Sequence, residues 1–493
     1  MQAQVRTLRN PAKPLGPALA LISGGLVALV VAVGLDTSRY LPEEFVLYCL
    51  GALYLAAVAW AEVARRPSPG LPAWLSPPAL IAGWMLLWIY GPAAAAFFDE
   101  ELFDELALAQ GGPSLLTSGL LLACVAVTAL WCSYWTSHRV LDAGRPLRVQ
   151  PRYAGLHAIV LLYAVSAAAR ALRVSVAGIA FGAQFTSWGA FAAVDQWVGY
   201  VEDLRYLALA LLVGYIVRSG SGRLWLAVAL AIEVVFAAGS GFIKPLIWPV
   251  VVCVATAAAL DRLRGRHVVA VAAASVLVAS FMNVVMVIRE DSRGGIGAAG
   301  SPALGSAIAA SVTESRGTGA AAEAAYRKFF GRQTEVAAST GLVVSLTPSV
   351  LPFEGLQQFL LLPTKLVPRA LWPDKPILSR GEWFSSNYRG LDENTTSSAM
   401  TMFGEGYLFF GWTGVCLGMM LVGGVLAILY RGFNRVSFHP VYLALLPTIL
   451  EIEPELSSYL TTLVQRSIVF VVVFYLFSRR TAPTRHSSRI PTA

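Results

Sequence analysis

The chain has 493 residues, 56% of them hydrophobic and only 13% charged, with a net charge of +8 and a mean hydropathy of +0.63. Soluble domains carry about 25% charge, so this composition excludes an ordinary soluble globular protein. The basic excess sits mostly in short connections between apolar runs, not in a patch suited to nucleic acid.

Apolar runs able to cross a hydrocarbon core of about 30 Å as helices recur along nearly the whole length. They number about twelve, at residues 15–35, 45–64, 78–98, 115–137, 154–172, 203–218, 224–238, 243–260, 268–288, 403–430, 440–450 and 463–477. The pattern predicts an all-α polytopic membrane bundle; the alternation of a membrane β-barrel is absent. On this reading residues 1–288 hold the first nine spans, 289–402 one large loop, 403–480 the last three spans and 481–493 a tail. The first run follows Arg6, Arg9 and Lys13 without an obvious small-residue cleavage site, so it reads as a retained span. All five cysteines lie inside apolar runs without a CxxC partner, which supports neither a metal site nor a disulfide framework.

Lys and Arg in short connections orient the spans. Every second connection is basic: Arg65 and Arg66, the group from His138 to Arg152, Arg218 and Arg223, Arg262 to Arg266, Arg431 and Arg435, then Arg479, Arg480, Arg485 and Arg489. The others are acidic or neutral, with Arg39 a minor exception among Asp36, Glu43 and Glu44. Both termini then fall in the cytoplasm and the loop at 289–402 falls outside, where no nucleotide-sugar is found. Within that loop, the Ala-rich stretch 301–330 reads as short helices interrupted by Gly317 and Gly319. From Thr347 to Pro376 six prolines forbid a long helix.

The densest polar constellation is Leu-Val-Pro-Arg-Ala-Leu-Trp-Pro-Asp-Lys-Pro, 366–376. Rigid turns hold Arg369 and Lys375 near Asp374 and Trp372, which suits a phosphate or diphosphate clamp; a solvated loop anchored at the membrane by Trp372 is the plainer alternative. Arg170, near the outer end of the fifth span, is costly at that depth unless paired or facing a cavity, with snorkelling as its rival. Lys244 opens the eighth span beside small residues, Arg289 and Arg293 leave the ninth, and Arg327 and Arg332 lie in the loop near Glu335. Glu405, between Gly404 and Gly406 at the entrance of a span, is the first candidate for a general base, since partial burial raises a carboxyl pKa; an acid merely favoured by the helix dipole is the alternative. Glu335, Asp374 and Glu382 rank behind it. Glu233 inside the seventh span reads as a bond to a neighbouring helix or an ion path. Glu451, Glu453 and Glu455 lie at an outer turn, either solvated or paired with the loop arginines, and Asp99–Glu105 reads as a solvated interfacial segment rather than a cation site.

Pro-Arg-Ala-Leu-Trp-Pro-Asp-Lys-Pro, followed some thirty residues on by Phe-Gly-Glu-Gly-Tyr-Leu-Phe-Phe-Gly-Trp-Thr-Gly (403–414), resembles the O-antigen polymerases and related oligosaccharide repeat-unit polymerases of bacteria; Gly239-Ser240-Gly241-Phe242-Ile243-Lys244 is similar to their Gly/Ser-Lys turn. The resemblance covers most of the chain as architecture, and as motif only 239–244 and 366–414. It implies a GT-C-like membrane glycosyltransferase of the bacterial plasma membrane, metal- and cofactor-independent, joining repeats carried on undecaprenyl diphosphate at the outer face. O-antigen, capsule or exopolysaccharide would be the product, with a chain-length regulator and a flippase as partners. Glu405, Arg369 and Arg332 would be catalytic, and Arg170, Lys244, Arg289, Arg327 and Lys375 would hold the diphosphate. The related O-antigen ligases use an outer-loop His beside Arg; here all five His fall at or near the cytoplasmic side. That favours a polymerase over a ligase. A transferase using polyprenyl-phosphate sugars remains open through Glu43-Glu44, and a transporter or flippase is the alternative from another class, against which stands the lack of an internal repeat.

Overall fold

The computed structural model describes residues 42–64, 71–102, 111–141, 151–152, 155–177, 192–240, 244–260, 318–365, 367, 372, 380–391, 399–434, 438–477 and 479–480. They form an all-helical protein apart from a two-residue ladder. Helix α1 covers Pro42–Val63. Helix α2, Pro77–Trp84, widens into a π turn over Met85–Tyr90 and tightens again towards Phe97. Pro92 explains the change, because it offers no N–H and its ring crowds the preceding turn. Then come α3 (Pro113–Leu141), α4 (Leu156–Ala177), α5 (Ala192–Ser219), α6 (Arg223–Ser240) and α7 (Lys244–Ala259). The long α8 (Thr318–Leu346) is followed by the short α9 (Gly355–Leu360) and α10 (Leu362–Lys365), and by α11 (Arg380–Arg389). The chain ends with α12 (Thr401–Phe410), α13 (Trp412–Phe433), α14 (His439–Ala444), α15 (Leu446–Leu450) and α16 (Leu456–Phe477).

Among the described residues six helices are long and apolar enough to cross a membrane: Glu43–Val63, Pro77–Phe97, Pro113–Val140, Leu156–Arg173, Trp412–Phe433 and Leu456–Phe477. The runs expected at 15–35 and 268–288 lie outside the described residues. Five other expectations change. The runs at 203–218 and 224–238 lie within α5 and α6, neither of which is among these six. The run at 243–260 is the 16-residue α7, too short to span alone. The run at 440–450 breaks into α14 and α15, with Pro447 in the first turn of the second. The run at 403–430 breaks at Gly411, whose φ of 65° and ψ of −140° suit glycine and end α12.

The loop differs as well. Rather than short interrupted pieces, 318–346 is one helix of 29 residues, and its C-terminal half joins the main core through Val336, Ala337, Leu342 and Val343. It lies along α3, the central helix, which α1 and α13 also cover. Contact between α3 and α8 requires two glycines: a Cβ at Gly119 would sit 2.5 Å from the Ala337 carbonyl oxygen, and one at Gly341 would overlap the Leu115 carbonyl. Among the described residues the proline-rich stretch after Thr347 carries only the short α9 and α10, as its prolines require. A ladder pairs Pro151–Arg152 with Arg479–Arg480, so two of the basic connections meet at one end of the bundle.

Candidate functional site

Five elements bring charge together. Lys244 stands at the first position of α7. The turn between α15 and α16 supplies Glu451, Glu453 and Glu455, α8 supplies Arg332 and Glu335, α11 supplies Arg380 and Arg389, and α12 supplies Glu405. Glu453, buried, lies 3.0 Å from Lys244 Nζ and 3.5 Å from Arg332 Nη2. Glu451 lies 3.6 Å from Lys244. Arg332 also donates to Glu335 at 2.9 Å, and Glu335 accepts in turn from Arg389 at 2.5 Å. Burial would push the Glu335 carboxyl up, but the guanidinium groups of Arg332 and Arg389 outweigh it and hold it below the ordinary value. Burial would likewise lower Arg332, and Glu335 and Glu453 more than reverse this. The result is an alternating chain of three cations and three carboxylates drawn from four parts of the sequence. It realises the pairing of the 451–455 turn with a loop arginine that the sequence offered as one of two readings.

Glu405 occupies the neighbouring position. The α12 backbone is pinned there by Met402 N–H on the Ile452 carbonyl at 3.4 Å and by the Thr340–Thr401 hydroxyl contact at 3.0 Å. The Glu405 carboxylate, 1% exposed, accepts from the Ser457 N–H at 2.8 Å and the Ser457 hydroxyl at 3.1 Å, and lies 3.6 Å from Arg380 Nε. It therefore sits at the first turn of α16, whose free N–H groups and dipole favour an anion. The dipole reading offered for Glu405 thus holds for α16, not for its own helix. Arg380 also grips Glu354, and these two carboxylates more than offset the lowering of its pKa by burial.

Arg170 belongs to a second, buried network. Its Nη1 lies 2.8 Å from Glu233 and its Nε 3.4 Å from Glu202, so it is paired rather than snorkelling. Glu233 accepts from the Tyr163 hydroxyl at 2.9 Å and lies 3.7 Å from Arg205. This is the inter-helix bond that was one reading of Glu233. Arg205 meets Glu202 at 2.7 Å, Arg173 meets it at 3.2 Å, and Arg466 meets Asp203 at 2.7 Å while donating to Thr448 at 2.8 Å. Helices α4, α5, α6 and α16 are thereby tied by charge. Helix α16 carries both Arg466 and Ser457, so it joins this network to the surroundings of Glu405.

The structure thus brings Lys244 and Arg332 together on Glu453, beside Glu405. Arg170 stands in the adjoining network, and Arg327 of α8 pairs with Glu101. Arg289, Arg369 and Lys375 lie outside the described residues. Each described candidate cation faces a carboxylate. Sequence reasoning missed Arg205, Arg380, Arg389 and Arg466. Arg466 had the same signal as Arg170, a cation inside an apolar run; Arg380 and Arg389 had none, being polar residues of a polar loop. Among the described residues no group of three His, Cys, Asp and Glu side chains forms a metal site.

The family model for a domain of unknown function (DUF8712) matches residues 160–433, more than half of the chain. The chain belongs to this family. The DUF8712 match runs from α4 through α13, so it takes in Arg170, Glu233, Lys244, Arg332, Arg380 and Glu405. Their partners Glu453, Ser457 and Arg466 lie C-terminal to it, which makes α16 and its leading turn part of the same charged unit. No curated protein and no solved structure matches the chain.

Proposed function

We propose that this DUF8712 protein is an integral-membrane glycosyltransferase of the bacterial plasma membrane that polymerises undecaprenyl-diphosphate-linked repeat units at the outer face. The observation that carries the reading is the meeting of Lys244 and Arg332, from two distant helices, on Glu453 beside the helix of Glu405. In this reading that end of the bundle faces outward. The bond between the donor's anomeric carbon and its diphosphate oxygen breaks, and the electron pair leaves with the diphosphate. The acceptor hydroxyl oxygen forms the new bond to that carbon, and its proton passes to a carboxylate. Lys244 and Arg332, both partly exposed, stabilise the leaving charge as fixed cations do, with Arg289, Arg327, Arg369, Lys375 and Arg170 as further anion partners. Glu453 neutralises the first two, so the diphosphate must take its place. Glu405 is the proposed base. Its contact with the Ser457 hydroxyl, at 3.1 Å, is the tie an acceptor hydroxyl would replace.

The buried network around Glu233 favours a second reading, transport, because ionisable groups within a membrane bundle often mark an ion path. One experiment separates the readings: lipid analysis of a deletion strain. The polymerase reading expects single lipid-linked repeats to accumulate on the outer leaflet. Accumulation on the cytoplasmic leaflet supports transport, and full-length lipid-linked polymer that is never transferred indicates a ligase.

A further inference from the structure

The connection from α8 to α11 differs from the charged sequence on either side. Between Ser345 and Val367 only Glu354 and Lys365 are charged, and Glu354 is taken up by Arg380. The side chains turned outward are Val350 (68% exposed), Phe353 (39%), Leu360 (61%), Leu361 (41%), Val367 (36%) and Trp372 (39%). A solvated loop has no use for such a row.

Its position supplies one. The Glu354 N–H donates to the Leu408 carbonyl at 2.9 Å. The Phe353 ring stands over Gly411 and beside Tyr407, and Phe359 packs edge-on against Phe409. These anchors surround the junction where α12 ends and the candidate span Trp412–Phe433 begins. Trp412, Leu417 and Met420 of that span are also exposed, so the apolar row is continuous with the face that α13 offers to lipid. Trp at both places fits the headgroup level, where its amphipathic ring is favoured. The depth is limited by the backbone. Two short helices that meet at Leu361, the second with Pro363 in its first turn, leave peptide groups that deep hydrocarbon cannot satisfy, so the segment suits the interface and not the mid-plane.

We propose that Val350, Phe353, Leu360, Leu361, Val367 and Trp372 form an interfacial docking element whose partner is the bilayer leaflet adjoining the start of α13. The inner edge of the same element carries Glu354, which holds Arg380, which in turn reaches Glu405. The leaflet therefore sets the height of the Glu405 region relative to the headgroups. The proposal does not depend on the chemistry assigned to that region.

The test is site-directed spin labelling of the full-length protein in phospholipid nanodiscs, with the five native cysteines replaced. Nitroxides at Val350→Cys, Leu360→Cys and Leu361→Cys are compared with Met420→Cys on α13 and with Asn387→Cys on the exposed side of α11. The ratio of oxygen to water-soluble nickel-chelate accessibility should be several-fold higher at the three sites than at Asn387 and lower than that at Met420, which lies about 12 Å into the span. Nickel access equal to that at Asn387, or exclusion of both reagents, overturns the proposal. A second measurement avoids cysteine replacement: brominated phospholipids should quench less fluorescence in Trp372→Phe than in the native chain, and equal quenching counts against the proposal.

Discussion

Glu233→Gln tests the buried network most directly. The native carboxylate holds Arg170 at 2.8 Å and the Tyr163 hydroxyl at 2.9 Å, and lies 3.7 Å from Arg205. Glutamine keeps the shape and can still accept from Tyr163, so the change isolates the charge. Removing one partner of a buried ion pair costs about 3–5 kcal/mol when nothing compensates. Here Arg170 retains Glu202 at 3.4 Å and Arg205 retains it at 2.7 Å. The expected loss is therefore smaller, about 2–3 kcal/mol. Arg170→Met should cost a similar amount, because it leaves the Glu233 charge with the Tyr163 hydroxyl and only the longer Arg205 contact as a cation. If the two side chains act through each other, the double variant loses less than the sum of the singles, with a coupling of about 1–3 kcal/mol. Equilibrium unfolding in mixed micelles of the four proteins measures this. Single losses below about 0.5 kcal/mol, or a double variant additive within about 0.5 kcal/mol, would refute the claim that α4, α5 and α6 are tied by charge.

Arg332→Ala is expected to abolish polymer growth without loss of protein from the membrane, and Arg332→Lys to impair it, because lysine cannot reproduce a planar two-pronged grip; normal polymer length in both would remove Arg332 from the site. Gly411→Ala forces a Cβ into a backbone conformation reserved for glycine, 3.2 Å from the Phe353 ring, and should cost about 1–3 kcal/mol in the same unfolding assay; an unchanged midpoint would show that α12 and α13 can join otherwise. His439, just before the run expected at 440–450, has a buried Nε2 without a hydrogen-bond partner, and burial pushes its pKa down to about 4. The unfolded ring takes its proton near 6.5, so this contribution is undiminished above pH 6.5, falls as pH drops from 6.5 to 4 and levels off below. The total loss is up to about 3 kcal/mol, and a His439→Phe stability profile as steep as the native one across that window would contradict it.

The all-helical membrane class followed from composition because a span is a local property: run length and lack of charge suffice. The breaks were harder to see. Gly411 sits in an apolar run that reads as continuous, and the Phe353 ring that covers it comes from the preceding loop, which no local window of sequence brings beside it. Helix α8 was underestimated because glycine lowers helix propensity, while what secures the helix is a tertiary contact that needs Gly341 against Leu115. At the site, cations within or next to apolar runs, Arg170 and Lys244, were legible. Their partners were less so, since Glu453 is separated from Lys244 by most of the second half of the chain and reaches it only through the fold.

The pairing of every described candidate cation follows from where these residues stand. An unpaired cation is costly where water is excluded. A site meant to receive a doubly or triply charged group therefore needs a resident anion, or it must stay open to water. Glu451, Lys244, Glu453, Arg332, Glu335 and Arg389 alternate in sign, so each cation is neutralised at rest, and under the proposed function an entering diphosphate would exchange with a carboxylate instead of filling an empty clamp. Of the carboxylates, Glu335 is held by two guanidinium groups, at 2.9 and 2.5 Å. Glu453 is shared between one short contact and one of 3.5 Å, on a turn rather than in a helix. Glu453 is thus the carboxylate that yields with least disruption, and Lys244 and Arg332 are the two cations its displacement would release.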